Sequence, residues 1–165
     1  MYAIWFMLEK NDTEYFEEII DELSSKYNSQ SFKAHITAYG LVDVDLDELD
    51  KIVSKSIQGE KQFEIEKSGV SYSDVFWKTL FVEFQPNPQL ERINKKLTEY
   101  LKSFTKYEFI PHMSLIYKKM NSDEQKKLAH TIDIKDHFNV TGMVIQKFHE
   151  DIEKWKIVKK YEFAQ

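Results

Sequence analysis

Two histidines in this chain are each followed two positions later by a hydroxyl side chain: His35 precedes Thr37, and His112 precedes Ser114. On a β-strand, positions i and i+2 point to the same face, so each triplet would present an imidazole beside a hydroxyl. A neutral imidazole can accept a proton from water, and a protonated one can deliver a proton to a leaving alkoxide. Hydroxyl groups can hydrogen-bond phosphate oxygens, where charge develops in the transition state. The pattern predicts metal-independent phosphodiester hydrolysis, with a bell-shaped pH profile whose limbs lie on either side of about 6.5.

One such triplet is weak evidence, because Ser and Thr are common residues. Here the two triplets occupy equivalent points of an internal repeat in the pattern of elements. A strand, a helix, a histidine-bearing strand and a second helix occur in residues 2–58 and again in residues 77–131. This repetition favours a shared site over two unrelated strand histidines that are satisfied by the backbone.

The hydrophobic periodicity predicts seven strands and four helices. Strands are expected near 2–8, 32–41, 61–67, 77–84, 110–117, 138–148 and 154–163, and helices near 14–27, 46–57, 88–104 and 122–131. Asp12 or Thr13 is expected to cap the first helix and Asn87 the third, while Ser122 and Gln125 form a capping box for the fourth. The expected class is α+β, with antiparallel sheets and outer helices.

The composition is that of one globular domain spanning residues 1–165, with lobes built mainly from about 1–76 and 77–165 and some strand exchange allowed between them. There is no cysteine, which excludes disulfides, thiolate metal sites and cysteine nucleophiles. The longest apolar run, Tyr2–Leu8, is too short to span a bilayer and lacks signal-peptide flanks. We therefore expect a cytoplasmic protein with no membrane partner. The sequence carries no signal for an oligomeric state.

The charge balance disfavours extended nucleic acid as a partner. The chain has 23 basic and 28 acidic side chains, a net charge of −5, and its only arginine is Arg92. Proteins that hold long nucleic acids need many basic phosphate contacts. A small or terminal phosphate substrate, including an RNA end, remains compatible with this balance.

Several segments resemble the two-histidine (2H) phosphoesterases, and within them the cyclic phosphodiesterases of the plant and yeast type. In chain order the matching segments are YAIWFML, FKAHITAYG, VFWKTLFVEF, IPHMSLIY with the following SDEQKK, and EKWKIV. They span nearly the whole chain. The paired His-x-Thr/Ser motif is specific to the superfamily, and PHMSLIY is the most specific single string for the subgroup.

The resemblance implies a bilobal fold in which two antiparallel sheets, related by a pseudo-two-fold axis, enclose a central cleft. It also implies cofactor-free opening of a ribose cyclic phosphate, either ADP-ribose 1'',2''-cyclic phosphate or a nucleoside 2',3'-cyclic phosphate. His35 and His112 match the family's catalytic histidines, and Thr37 and Ser114 its phosphate-binding hydroxyls. Tyr117 matches a tyrosine at the phosphate site, although strict alternation from His112 would place it on the opposite face unless the strand bulges or twists.

Two further residues are weaker candidates for the substrate site. Trp5 matches a tryptophan of the family's first strand and is expected either to wall the pocket or to pack in the core. Lys78 is expected either to meet the phosphate or to be an ordinary solvated lysine. The other histidines lack metal-ligand spacing and are expected at the surface, and no metal site is predicted.

Two other functions remain open from the sequence. One is an enzyme acting on RNA 2',3'-cyclic ends, similar to 2'-5' RNA ligases. The residues after the first motif, Leu41 to Asp43, lack the basic side chain usual in such relatives. The other is a non-catalytic nucleotide-binding module, which would have no need for two proton-transferring histidines.

Overall fold

The computed structural model describes all residues, 1–165, and contains seven β-strands, four α-helices and two short 3-10 segments. The strands are β1 (Tyr2–Leu8), β2 (Ile36–Val42), β3 (Phe63–Tyr72), β4 (Leu80–Phe84), β5 (His112–Ile116), β6 (His137–Lys147) and β7 (Lys156–Glu162). The helices are α1 (Lys10–Tyr27), α2 (Leu46–Ser56), α3 (Pro88–Leu101) and α4 (Ser122–Thr131). This confirms the predicted α+β class and the predicted order of elements.

All seven strands belong to one hydrogen-bonded sheet in the order β1-β2-β5-β4-β3-β6-β7, with an additional β1–β6 pairing, and every pairing is antiparallel. The two expected sheets correspond to the groups β2-β1-β6-β7 and β5-β4-β3. Short pairings join these groups: Ile36 with Met113 between β2 and β5, and residues 63–66 with residues 137–140 between β3 and β6. The expected two sheets are therefore one continuous sheet, because β2 and β6 each pair with strands of both groups.

The halves of the chain exchange elements across this arrangement. β3, from the first half, pairs with β4, whereas β6 from the second half pairs with β1. Helix α1 packs against β5, and α3 packs against β2. Each histidine strand is therefore supported by a helix from the other half of the chain.

A single cluster of 31 buried side chains extends under both groups of strands. Ile36 in β2 and Met113 in β5 are fully buried in this core. Because side chains alternate along a strand, the residues on either side of them point to the opposite face. The core thus holds both histidine strands by one face and leaves the other face free for chemistry.

The helix termini confirm one predicted cap and correct two. The Asn87 side chain accepts hydrogen bonds from the backbone N–H groups of Gln89 and Leu90, at 2.9 and 3.1 Å. Helix α4 is instead capped by Asn121, so the predicted capping box is wrong. Helix α1 begins at Lys10, ahead of both predicted caps, since its first turn follows directly from β1. None of the four helices has the length and apolar composition needed to cross a bilayer.

The β6–β7 pairing depends on a glycine. A Cβ atom at Gly142 would lie 2.1 Å from the backbone oxygen of Tyr161, so replacing Gly142 by Ala must push the two strands apart. We expect this substitution to lower the free energy of unfolding by about 1–3 kcal/mol in urea denaturation. Gly69 in β3 is a matched control, because a Cβ there meets nothing within 4 Å. Gly69→Ala should be neutral or slightly stabilising, and equal losses for the two variants would contradict this packing argument.

Candidate active site

The pairing between β2 and β5 assembles the four residues of the two triplets. Ile36 lies opposite Met113, and both point into the core. Extending this antiparallel register by one residue in each direction sets each histidine beside the hydroxyl residue of the other strand. The resulting neighbours are His35 with Ser114 and His112 with Thr37. All four side chains line one pocket.

The backbone fixes the orientation of both imidazoles in the same way. Nδ1 of His35 lies 2.8 Å from the carbonyl oxygen of Lys33, and Nδ1 of His112 lies 2.7 Å from that of Ile110. A carbonyl oxygen only accepts hydrogen bonds, so in each ring Nδ1 is the protonated nitrogen that donates. Nε2 of each histidine is left to accept or deliver a proton at the substrate.

His35 lies in an aromatic enclosure. Its ring stacks on Trp5 with centroids 3.8 Å apart and an interplanar angle of 15°, and the Trp155 ring lies nearly perpendicular to it with centroids 6.2 Å apart. Burial disfavours the charged imidazolium and is the largest cause that lowers the pKa of His35 to about 4. The hydrogen bond to Lys33 opposes this shift, and the charge of His112 adds to it. His35 is therefore neutral at neutral pH.

His112 has a more polar environment. Phe81 meets it edge to face at 5.6 Å, and burial is the largest cause that lowers its pKa. The bond to Ile110 raises this pKa, the positive charge of Lys78 lowers it, and the negative charge of Glu83 raises it. The two histidines thus have the same backbone anchor and different charge surroundings.

The two hydroxyl residues differ in how they are held. Ser114 is buried, and its hydroxyl donates a 2.6 Å hydrogen bond to the carbonyl oxygen of Trp77. This bond ties β5 to the 3-10 segment that carries Trp77 and Lys78. Thr37 is only partly buried and lies on the pocket wall. Its hydroxyl is therefore the more accessible donor for a phosphate oxygen.

The pocket has a volume of about 310 Å³, and all seven residues singled out in the sequence line it. Trp5 serves both expected purposes, since it is buried and also forms a wall. Tyr117 reaches the pocket because β5 ends at Ile116, so strand alternation does not extend to it. Its ring stacks on Phe32 at 3.8 Å, and burial raises its pKa. Lys78 is the only lysine or arginine in the lining.

Sequence reasoning missed several other residues of the lining. The ring centroid of Trp155 lies 6.2 Å from that of His35 and 5.9 Å from that of Trp77. Gln146 is buried and also lines the pocket. Tyr107 comes from the loop before β5, and burial raises its pKa to about 12. Trp155 belongs to the EKWKIV string and was visible as an aromatic near the last strand. Gln146 and Tyr107 had no signal in the sequence.

Gln125, assigned by sequence to a capping box, instead supports the pocket from behind. It is buried, and its Nε2 donates to the carbonyl oxygens of Ser73 and Thr79, at 2.8 and 2.9 Å. These two residues flank the segment that carries Trp77 and Lys78. The side chain therefore fixes this rim of the pocket to helix α4.

The other three histidines, His130, His137 and His149, which the sequence predicted at the surface, do not line the pocket. Nor does Arg92, which makes two 2.8 Å bonds to Glu60. No group of three or more His, Asp or Glu side chains has an arrangement that could hold a metal ion.

The low pKa of His35 depends on its aromatic cover, which one substitution tests. In Trp5→Ala, water reaches the imidazole face, so the pKa of His35 should rise from about 4 toward 6.5. The histidine ring proton shifts in NMR report both midpoints during a pH titration. His112 titrates in the same spectra, and its midpoint should move less than that of His35, because Trp5 stacks on His35. A His35 midpoint near 6.5 before any substitution would contradict the burial argument.

Comparisons with known proteins agree with this fold. The Arabidopsis thaliana cyclic phosphodiesterase is 22% identical over 136 residues, which cover 81% of this chain and 75% of that protein. The crystal structure of TT0787 from Thermus thermophilus superposes with a TM-score of 0.69 at 13% identity, covering 98% of this chain and 97% of that one. E. coli LigT complexed with 3'-AMP gives a TM-score of 0.67 at 12% identity, covering 99% and 98%. These two structures share the fold of this protein.

The match to a family model extends over almost the entire chain. The family is described as cyclic phosphodiesterase-like protein, and its model matches residues 1–163. The matched region includes both histidine strands and every residue that lines the pocket. The chain therefore belongs to the cyclic phosphodiesterase-like proteins, within the two-histidine phosphoesterases that its paired triplets resemble.

Proposed function

We propose that this protein hydrolyses a cyclic phosphate on ribose, without a metal, in ADP-ribose 1'',2''-cyclic phosphate or a nucleoside 2',3'-cyclic phosphate. The observation that carries the proposal is the cross-strand arrangement of the two triplets, in which two imidazoles with free Nε2 atoms and two hydroxyl residues face one pocket. Two proton-transferring groups on opposite sides of one phosphate are what an in-line displacement by water requires.

In the proposed step, the oxygen of a water molecule attacks phosphorus, and the bond from phosphorus to one ribose oxygen breaks. The neutral imidazole accepts the proton lost by water, and the protonated imidazole supplies the proton that the leaving ribose oxygen gains. The product is a phosphomonoester with a free neighbouring hydroxyl. Thr37 and Lys78 both line the pocket, and they are the proposed ligands of the non-bridging oxygens, whose negative charge grows during the displacement.

The different surroundings of the two histidines suit them to different roles. A general base must be neutral before the reaction, and the pKa of His35, lowered to about 4, keeps it so. A general acid must carry a proton, and His112 has the negative charge of Glu83 beside it. His35 is accordingly assigned as the base and His112 as the acid.

The dimensions and charge of the pocket favour a small nucleotide. A volume of about 310 Å³ is at the lower end for ligand pockets. Aromatic faces of Trp77, Tyr117 and Trp155 can stack on a base or ribose, and one lysine can meet one phosphate. E. coli LigT, which shares the fold, has been solved with 3'-AMP, NADP+ and ATP.

The alternatives have less support in the structure. A strand of RNA needs a basic track, whereas the only arginine is paired with Glu60 and the pocket contributes Lys78 alone. A binding module without catalysis leaves the two free Nε2 atoms unexplained. The favoured substrate is thus the small cyclic phosphate itself.

The two histidines should be separately essential. His35→Ala and His112→Ala should each lower turnover of a cyclic phosphate by about 10²–10⁴-fold, because each removes one proton transfer. The loss of turnover in the double variant should be much smaller than the product of the two single losses, since the two histidines act as a unit. His130→Ala, at an exposed histidine of helix α4, is the control and should retain full activity. Full activity in either single variant would refute the mechanism.

The pH profile should be displaced to the acid side. The value of kcat/KM requires neutral His35, hence a pH above about 4, and protonated His112, hence a pH below its lowered pKa. The sequence alone predicts a bell-shaped profile of kcat/KM centred near pH 6.5. Because both pKa values are lowered, the maximum should instead fall between about pH 4 and 6.5. The measurement is kcat/KM for one cyclic nucleotide across the acidic and neutral pH range. A profile that rises continuously through neutral pH would contradict the assignment.

A further inference from the structure

The two histidine strands have matching aromatic neighbours. In each half of the chain, the strand beside the histidine strand places an aromatic residue directly opposite the hydroxyl residue. The pairs are Trp5 with Thr37 and Phe81 with Ser114. Both aromatic rings also contact the histidine of the same triplet. The internal repeat seen in the sequence therefore extends to the packing around each imidazole.

The two neighbouring strands, β1 and β4, carry different residue types two positions after these aromatic residues. In β4 this position is Glu83, which the register places directly opposite His112. In β1 the equivalent position is Met7. Its neighbour Phe6 pairs with Ile36, so the same antiparallel register sets Met7 opposite His35. Directly opposed residues of an antiparallel pair project from the same face, with Cβ atoms about 4.5–5.5 Å apart. One histidine thus has a carboxylate as its lateral neighbour, and the other has a thioether.

Glu83 does not belong to the pocket lining, so it is placed beside the imidazole without facing the substrate. The charged groups that act on His112 are Glu83 from β4 and Lys78 from the preceding 3-10 segment. His35, which lines the same pocket, is neutral at neutral pH. Lys78 and Glu83 act on the imidazolium in opposite directions. Glu83 is the only one of these groups whose charge favours a proton on His112.

We propose that Glu83 is a positioning residue of this enzyme: its carboxylate stabilises the protonated imidazole of His112 and so makes His112, rather than His35, the group that protonates the leaving ribose oxygen. The proposal rests on the proposed function. Met7 provides no charge for His35, whose stacking on Trp5 keeps it neutral. A single carboxylate therefore converts a nearly symmetric pair of histidines into an acid and a base.

The test compares two carboxylate-to-amide substitutions. Glu83→Gln removes the charge beside His112 and retains the shape of the side chain. Glu64→Gln is the matched control, because Glu64 also lies on a strand beside a histidine, with its carboxylate 3.1 Å from Nδ1 of His137, remote from the pocket. Glu83→Asp retains the charge. Each protein is measured by NMR titration of its histidines without ligand, and by kcat/KM against pH with a cyclic nucleotide.

In Glu83→Gln, the His112 midpoint and the high-pH limb of kcat/KM should both move to lower pH by about half to one unit, because an opposite charge is lost. The low-pH limb and the His35 midpoint should not move, and at neutral pH kcat/KM should fall by about 3- to 10-fold, the change in protonated His112 that this shift produces. Glu64→Gln should leave the His112 midpoint and both limbs of kcat/KM unchanged, and Glu83→Asp, which retains the charge, should show only a small part of the displacement seen in Glu83→Gln.

Three results would overturn the proposal: an unmoved His112 midpoint in Glu83→Gln, a moved midpoint with an unmoved high-pH limb, or an equal displacement in Glu64→Gln. The NMR titration needs no substrate. Complete inactivity on cyclic phosphates would therefore refute the proposed function, and with it the catalytic part of this inference. The electrostatic link between Glu83 and His112 would still be decided by the midpoints.

Discussion

A single backbone pairing, between Ile36 of β2 and Met113 of β5, places the two histidine strands side by side. Both side chains are fully buried, so the pairing cannot rotate without exposing the core. This fixes which residues face the opposite side, and it sets each histidine beside the hydroxyl residue of the other strand. The crossed support of the histidine strands by α1 and α3 holds the pairing from behind. The geometry of the site follows from this constraint.

Burial then decides how the site behaves chemically. The aromatic residues that line the pocket shield both imidazoles in part from water, and burial is the largest cause that lowers the pKa of each. The backbone carbonyls of Lys33 and Ile110 fix Nδ1 as the donor in each ring, so only Nε2 is left for the substrate. A low dielectric environment also strengthens the interaction proposed between Lys78 and the substrate phosphate. The same packing that builds the core therefore prepares the reaction.

The local features of the fold could be predicted from the sequence, whereas contacts between distant segments could not. The periodicity and the triplets predicted the strands, the two histidines and their hydroxyl partners, and Asn87 predicted a helix start. The capping box failed because Gln125 reaches back to the segment before β4, a partner that no local rule contains. Gln146 became part of the pocket because β6 pairs with β1 across the molecule. The position of Tyr117 in the pocket depends on where β5 ends, and that end is set by the pairing of β5 with β4.

The most direct test of the central claim is the fate of the oxygen atom from water. Purified protein is incubated with a nucleoside 2',3'-cyclic phosphate, and in parallel with ADP-ribose 1'',2''-cyclic phosphate, in H₂¹⁸O, and the products are followed by ³¹P NMR. Hydrolysis by water should give one phosphomonoester regioisomer from the substrate that is used, with a single ¹⁸O on phosphorus per turnover. Folded protein that leaves both cyclic phosphates intact would contradict this claim.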